Sequence, residues 1–137
     1  MMHDEFTGCK LAYIFEEKLL VYKRDDLPGI PFPGLWDFPG GGREGSESAE
    51  ECVLRELKEE FSISFPVSRF VYKRKVPSHS NNGNAYFFVA LGKQCEIDAI
   101  SFGDEGQYWS LMPVQEYMLH SDGIPALKSR LERYLNQ

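Results

Sequence analysis

The sequence has few cysteines and no long hydrophobic run. Its three cysteines, Cys9, Cys52 and Cys95, are an odd number, lie far apart and form no Cys-x-x-Cys pair, which argues against a disulfide framework or a zinc site. The reducing cytoplasm is therefore the expected compartment. The longest apolar runs, such as AYFFVAL at 85–91, are too short to cross a bilayer, so no membrane association is expected. The opening MMHDEFTG lacks the basic start and apolar stretch of a secretory signal.

The chain also has no excess of basic residues over acidic ones. The formal net charge is −6, so the chain lacks the electrostatic footprint of a protein that binds a nucleic acid polymer. A polyanion can still bind locally where metal ions mediate the contact. The content of 42% hydrophobic and 14% aromatic residues is typical of a globular protein, and 137 residues suffice for one domain over 1–137. The sequence leaves open whether this domain is a monomer or a homodimer.

Hydrophobic patterning predicts an α+β fold in which helices cover both faces of a sheet. Between 27 and 47, closely spaced prolines and glycines predict a long ordered loop, because they exclude regular helix and most ladder pairing. The predicted strands are 9–16, 18–24, 36–38, 70–76, 84–92 and 107–111. The predicted helices are 48–61, 113–120 and 124–135, the last with an apolar stripe of Leu127, Leu131, Tyr134 and Leu135.

The first predicted helix carries acidic residues on the side that faces the core. Ser48 and Glu51 form a capping box at its start. On a helical wheel of about 100° per residue, Glu56 and Glu60 fall inside the apolar arc. Glu59 lies at the edge of this arc. At least two carboxylates are therefore expected to point toward the body of the protein.

Inward carboxylates at this density need a compensating charge. Residues 43–60 hold seven acids and three bases, which gives this segment a formal charge of −4. Because crowded carboxylates repel and their burial is costly, a hard divalent cation such as Mg²⁺ is one solution. The alternative is a solvated acidic helix with ion pairs between successive turns. The glycines at 40–42, which allow close backbone approach to a ligand, favour the cation.

The spacing of the whole segment resembles a known signature. Gly41, Glu47, the run Arg55-Glu56-Leu57, the pair Glu59-Glu60 and Ile63 stand at the intervals of the Nudix box of the Nudix hydrolases, and the chain looks most similar to their MutT-like branch. WDFPGG before the box and DEGQYW at 104–109 resemble the family as well. The resemblance implies a Nudix-like α/β/α sandwich with a mixed sheet, in agreement with the patterning. Ser62 and Ser46 replace the usual glycines, and Ser62 is expected to end the helix in a left-handed conformation.

The resemblance also implies roles for single residues. Carried over by position, Gly40, Glu56, Glu59, Glu60 and Glu105 would hold Mg²⁺ or Mn²⁺, the glycine through its carbonyl. Arg55 would orient the glutamates through charge-assisted hydrogen bonds, and Glu47 would support the turn into the helix or lie in the outer shell of the metal. Glu59 is the preferred general base because of its position at the edge of the arc, and Glu105 is the competing candidate. Nudix hydrolases cleave a nucleoside diphosphate linked to a further group X by attack of water on phosphorus.

Other side chains are candidates for binding the substrate. Lys23 and Arg24, at the end of the second strand, could hold phosphates, although a solvated strand end is an equal alternative. Trp36, together with Phe32 and Tyr108, could stack on a base, although packing is the more usual role. His79 and His120 are treated as surface residues because they have no partner spacing.

The expected partner is a small-molecule nucleotide, and a nucleoside triphosphate is the first choice. In relatives that hydrolyse 8-oxoguanine nucleotides, an asparagine before the last helix reads the base, whereas this chain has Asp122 in the corresponding stretch. Sugar nucleotides and dinucleoside polyphosphates remain open as substrates. A non-catalytic Nudix-fold module that binds a nucleotide metabolite and regulates a partner is the rival from another functional class.

Overall fold

A mixed seven-stranded sheet forms the centre of the computed structural model, which describes residues 4–79 and 81–137. The central strands run in the order β3-β2-β1-β6-β5, with β4 paired to β1 and β7 paired to β2. The β1–β6 pair is parallel and the other pairs are antiparallel. The strands are β1 (Gly8–Phe15), β2 (Lys18–Lys23), β3 (Trp36–Asp37), β4 (Gly40–Gly42), β5 (Phe70–Pro77), β6 (Asn84–Leu91) and β7 (Tyr108–Pro113).

Helices cover both faces of this sheet, which confirms the predicted sandwich. They are α1 (Ala49–Phe61), α2 (Gln94–Asp98), α3 (Val114–Leu119) and α4 (Pro125–Leu135), with a 3-10 turn at Val67–Arg69. Successive strand residues point to opposite faces, so Leu11 packs in the core beneath α1, whereas Ala12 packs in the core beneath α3 and α4. Across the described part of the chain, we find no helix with the length and hydrophobicity needed to span a bilayer.

Helix α1 begins and ends as the sequence predicts. The Ser48 hydroxyl accepts a hydrogen bond from the Glu51 N–H, and the Glu51 carboxylate accepts one from the Ser48 N–H, which completes the capping box. Ser62 ends the helix with a φ of 61°, in the left-handed region. Its N–H donates to the Lys58 carbonyl oxygen at 2.9 Å. The signature helix is therefore capped at both ends by local interactions.

Three features differ from the sequence prediction. Strand β4 lies where glycines were expected to exclude pairing. It pairs with β1 because Gly40 has no β-carbon, which at this position would overlap the Cys9 carbonyl oxygen. Helix α2 was not predicted, since it has only five residues and no side-chain cap. Leu135 was expected in the apolar stripe of α4, but it is 46% exposed because it lies in the last turn of the helix, beyond the sheet-facing Leu127 and Leu131.

Cys9 and Cys52 meet in the core although they are distant in sequence. Their Sγ atoms lie 3.2 Å apart, and all three cysteines are free thiols. The hydrogen bond to Cys52 and burial raise the pKa of the Cys9 thiol, whereas Cys95 is exposed. We expect a small aromatic disulfide reagent to label one thiol per chain rapidly in native buffer and three in denaturant. Rapid labelling of two or three thiols in the native protein would contradict the buried pair.

Candidate active site

The glycine strand β4 lies directly against α1, where Gly41 faces Glu56 and Gly40 contacts Glu60. It pairs with β1 on one side, so the backbone at 40–42 is held at a fixed distance from the helix. A β-carbon on Gly41 would lie 2.7 Å from the carboxyl group of Glu56. A larger residue at this position would therefore displace the Glu56 carboxyl group from the acidic face of the helix.

Glu60 is the most deeply buried carboxylate of this helix. It is 9% exposed, and its Oε1 accepts a hydrogen bond of 2.9 Å from the Gly40 N–H. Burial raises the pKa of Glu60 to about 8, and the neighbouring carboxylates of Glu56 and Asp37 act in the same direction. Lys10 and the Gly40 N–H oppose the shift only in part. The inward orientation predicted for this glutamate is confirmed.

Arg55 ties the acidic residues to the loop. Its Nε donates to Glu47 Oε2 at 2.7 Å, and its Nη1 donates to Glu56 Oε1 at 3.0 Å and to Glu59 Oε2 at 3.2 Å. The Nη2 atom donates to the Gly42 carbonyl oxygen at 2.8 Å. The predicted contacts between Arg55 and the glutamates therefore exist, while its catalytic role stays a prediction. A planar guanidinium with several donors suits this task better than lysine.

The carboxylates line a cavity of about 520 Å³, which we call the acidic cavity. Gly103 fixes the loop at its edge, because its N–H donates to the Glu60 carbonyl oxygen at 2.9 Å. Glu59 has a side chain that is 57% exposed, and Glu105 lies exposed in the same loop as Gly103. The acids lining the cavity are Glu44, Glu56, Glu59, Glu60, Asp104 and Glu105. The two candidate bases thus face one space.

The donor chemistry of the acidic cavity fits a hard divalent cation. Burial is the largest cause that raises the pKa of both Glu56 and Glu60, so their charged forms are costly in the cavity and a bound cation would stabilise them. Within residues 4–79 and 81–137, no three His, Cys, Asp or Glu side chains already converge as a ligand cluster. Arg55 engages Glu56 and Glu59 instead, and a cation would compete with its N–H groups. The ligand set predicted from the signature stays a prediction.

Sequence reasoning missed a buried ion-pair cluster beside this cavity. Asp37 is 2% exposed, and its Oδ2 accepts from Lys10 Nζ at 2.8 Å, from Arg24 Nη1 at 2.9 Å and from the Tyr22 hydroxyl at 3.3 Å. Its Oδ1 accepts from the Phe38 N–H at 2.8 Å. A lysine inside the otherwise apolar strand CKLAYIF was the one available signal for this cluster.

A second cavity, which we call the basic cavity, adjoins the acidic one. It has a volume of about 300 Å³, and its lining includes Lys10, Arg24, Phe32, His79 and Arg130. Lys10 and Arg24 line both cavities, as do the glycines at 41 and 42. The acidic cavity and the basic cavity therefore meet at Lys10 and Arg24. This arrangement suits a polyphosphate whose charge is shared between cations of the protein and a bound metal ion.

The other sequence candidates occupy different positions. Lys23 lies over the ring of Trp36, with Nζ 5.3 Å from the ring centroid, and pairs with Asp122 at 3.2 Å. Trp36 is 9% exposed, and neither it nor Lys23 lines the two cavities, so their substrate roles stay predictions. His79 was expected at the surface, but it is half-buried because its ring packs 5.1 Å from that of Phe32.

Comparison with known proteins agrees with the geometry. Residues 10–134 match the family model described as NUDIX domain. An RNA pyrophosphohydrolase of Campylobacter jejuni is 43% identical over 125 residues, covering 80% of this chain and 76% of that protein. A putative 8-oxo-dGTP diphosphatase of Bacillus subtilis is 32% identical over 82 residues, covering 60% of this chain and 51% of that protein. The part of this chain that matches the first curated relatives spans about half of their length or less.

Solved structures show the same fold. A MutT protein from Methanosarcina mazei superposes with a TM-score of 0.75 at 18% sequence identity, covering 94% of this chain and 91% of that chain. At this identity the match concerns the arrangement of strands and helices rather than the substrate.

Proposed function

The chain belongs to the Nudix family, and from this premise we propose that it is a Mg²⁺-dependent pyrophosphohydrolase acting on a nucleoside diphosphate linked to a group X. A nucleoside triphosphate is the first candidate substrate. The observation that carries the proposal is the buried Glu60, which Gly40 holds in the acidic cavity where that cavity adjoins the basic one. Such a site pairs ligands for a cation with side chains for the phosphates that the cation does not reach.

Each part of the site has a task in this reaction. Glu56, Glu59, Glu60 and the Gly40 carbonyl would hold the cation, which when bound neutralises phosphate charge and lowers the pKa of water. Glu59 takes the proton from the attacking water as phosphorus is attacked, and Glu105 is the alternative base. Arg55 keeps the carboxylates in position.

Lys10 and Arg24 extend the site toward the substrate. Asp37 holds both cations at the junction of the two cavities, so they are placed before the substrate arrives. They would bind phosphates on the side of the site away from the metal ligands. Lys10 thereby joins Arg24 among the substrate-binding candidates.

A second candidate substrate is the 5′-triphosphate end of RNA. The relative named RNA pyrophosphohydrolase, at 43% identity, favours it, as does the positive charge around the basic cavity. A preference for 8-oxoguanine has less support, because Asp122 stands in the base-reading stretch and pairs with Lys23. As in the sequence analysis, we propose a cytoplasmic protein, monomeric or homodimeric.

The proposal is tested by turnover of a substrate panel with Mg²⁺ or Mn²⁺. The panel contains nucleoside di- and triphosphates, sugar nucleotides, dinucleoside polyphosphates and 5′-triphosphorylated RNA. We expect release of pyrophosphate or a nucleoside monophosphate that stops in EDTA and is lost in the Glu59→Gln/Glu60→Gln double variant. Glu116→Gln, on an exposed position of α3, is the matched control. Tight nucleotide binding without any turnover would instead favour the non-catalytic regulator.

A further inference from the structure

Arg130 on α4 is a buried cation, and one of the two terminal nitrogens of its guanidinium lacks a hydrogen-bond partner in the described part of the chain. The residue is 9% exposed, and its Nη2 donates to the Pro77 carbonyl oxygen at 2.8 Å. Its Nη1 is buried and has no hydrogen-bond partner among residues 4–79 and 81–137. Burial lowers the pKa of Arg130, and the Asp37 carboxylate offsets this shift only in part. A buried donor without an acceptor is costly unless a ligand or a water molecule supplies one.

His79 lies beside this arginine and is also incompletely bonded. Its Nδ1 has no partner in the described ranges. Burial, with a further contribution from Arg130, lowers the pKa of His79, so the ring is neutral near pH 7. Both residues line the basic cavity on one side and a further groove on the other. The unpartnered atoms therefore belong to the boundary between two spaces.

This further groove, which we call the arginine groove, has a volume of about 410 Å³. Arg74 from β5 and Arg133 from α4 line it together with Arg130, and no carboxylate is among its lining residues. In the part of the chain that the structure describes, neither Arg74 nor Arg133 has an ion pair or side-chain hydrogen bond. The groove thus concentrates positive charge on a protein whose net charge is −6.

The neighbours of Arg74 on β5 show that the lack of an ion pair is not a general property of cations on this strand. Lys73 Nζ pairs with Glu50 at 2.8 Å, and Lys75 Nζ pairs with Asp4 at 2.7 Å. These lysines point to the opposite face of the sheet, because side chains alternate along a strand. These two lysines are therefore neutralised within the protein, whereas Arg74 and Arg133 of the arginine groove are not paired with any residue that the structure describes.

We propose that the arginine groove is a second phosphate subsite, which binds a phosphate of the substrate beyond the nucleoside diphosphate held at the two cavities. This inference rests on the proposed function, because it extends the same site. The order of the spaces follows from their shared residues: Lys10 and Arg24 join the acidic cavity to the basic one, and His79 and Arg130 join the basic cavity to the groove. A mononucleotide ends before the groove, whereas an extended substrate continues into it. Arginine suits this role because its planar donors match phosphate oxygens.

Two substrates share this chemistry, the 5′ end of RNA and a dinucleoside polyphosphate. The test measures binding of the full chain in EDTA to a 5′-triphosphorylated trinucleotide, a dinucleoside tetraphosphate and a nucleoside triphosphate. We expect one extended ligand to bind at least roughly tenfold more tightly than the nucleoside triphosphate. The ligand that gains identifies the source of the phosphate.

The Arg74→Gln/Arg133→Gln double variant isolates the groove. We expect it to lose affinity for the extended ligand by roughly tenfold, with a loss at least about fivefold smaller for the nucleoside triphosphate. For RNA, the slope of log affinity against log salt concentration should fall by about one to two. Lys73→Gln/Lys75→Gln removes the same charge from the opposite face and should leave all affinities within about twofold.

Specific results overturn the subsite. Equal affinities for all three ligands contradict it, and so does an equal loss in the arginine and lysine double variants. Because binding is measured in EDTA, a preference for extended ligands without turnover in Mg²⁺ supports the subsite and refutes the proposed hydrolase. Turnover without the preference refutes the subsite alone.

Discussion

Glu60→Gln is expected to reduce nucleotide turnover by about 10²–10⁴-fold and at the same time to stabilise the metal-free protein. The loss of turnover follows because a neutral amide replaces a carboxylate ligand, and a bound cation contributes several kcal/mol to such a reaction. The gain in stability follows because the glutamine needs no charge at a position that is only 9% exposed. Its amide oxygen can still accept the hydrogen bond from Gly40.

The stabilisation depends on pH in a defined direction. Burial raises the pKa of Glu60 from its ordinary value of 4.5 to about 8, so between these two values the folded protein binds a proton that the unfolded chain has released. The free energy of unfolding of the wild type therefore falls as pH rises through this window, and the variant lacks that fall. We expect the variant to gain about 1–3 kcal/mol at pH 8.5 and little at pH 4.5, because one pKa unit corresponds to about 1.4 kcal/mol.

Urea unfolding in EDTA at these two pH values measures the effect. Glu116→Gln, an exposed change of the same charge, should alter neither stability nor turnover appreciably. In the wild type, Mg²⁺ should raise the midpoint of thermal unfolding, and in the Glu60 variant it should not. A Glu60→Gln protein that is less stable at pH 8.5 and still turns over substrate would show that this carboxylate has a structural role only.

Local signals made the acidic half of the site predictable. The capping box of Ser48 and Glu51, the helical spacing of the glutamates and the left-handed Ser62 each involve residues close in sequence. Their geometry follows from the helix itself, so a wheel places Glu56 and Glu60 inward without knowledge of the sheet. Apolar alternation along a strand is also a local signal, so the strands with clear apolar patterns were predicted to within about two residues.

Of the basic half, only Arg24 was a candidate from the sequence, and the rest could not be predicted in this way. Lys10, Asp37, His79 and Arg130 come from β1, β3, the β5–β6 connection and α4, and they meet only when the sheet has formed. No spacing along the chain encodes such contacts. Strand β4 was missed because a rule against glycine in strands ignores the close approach that only glycine allows.

Asp37→Asn is the other change with a large expected effect. We expect the free energy of unfolding to fall by about 2–4 kcal/mol at neutral pH, since removing one member of a buried ion pair leaves the remaining charges uncompensated. This loss is smaller than the cost of breaking a fully buried ion pair, because the side chains of Lys10 and Arg24 are 12% and 22% exposed and can be partly solvated. Nucleotide binding should weaken as well, since both cations lose the carboxylate that holds them at the junction of the cavities.

The pH dependence separates lost charge from lost packing. Burial by itself would raise the pKa of Asp37, but Lys10 and Arg24 with the Phe38 N–H lower it below its ordinary value of 3.8. The stabilisation from this group is therefore present above pH 3.8 and is lost as pH falls through the lower folded value. The difference between wild type and variant should be constant from neutral pH down to about pH 4.5 and shrink in stronger acid.

Asp122→Asn is the matched control, because it removes the same charge from the ion pair with Lys23. The Asp122 side chain is 46% exposed, so this change should cost less than about 1 kcal/mol. Urea unfolding of both variants from pH 3 to pH 7 gives the comparison, and nucleotide binding at pH 7 gives the functional readout. If Asp37→Asn unfolds like Asp122→Asn and binds nucleotide like the wild type, the buried cluster does not position Lys10 and Arg24. If stability falls while binding stays unchanged, the cluster stabilises the fold without preparing the site for phosphate.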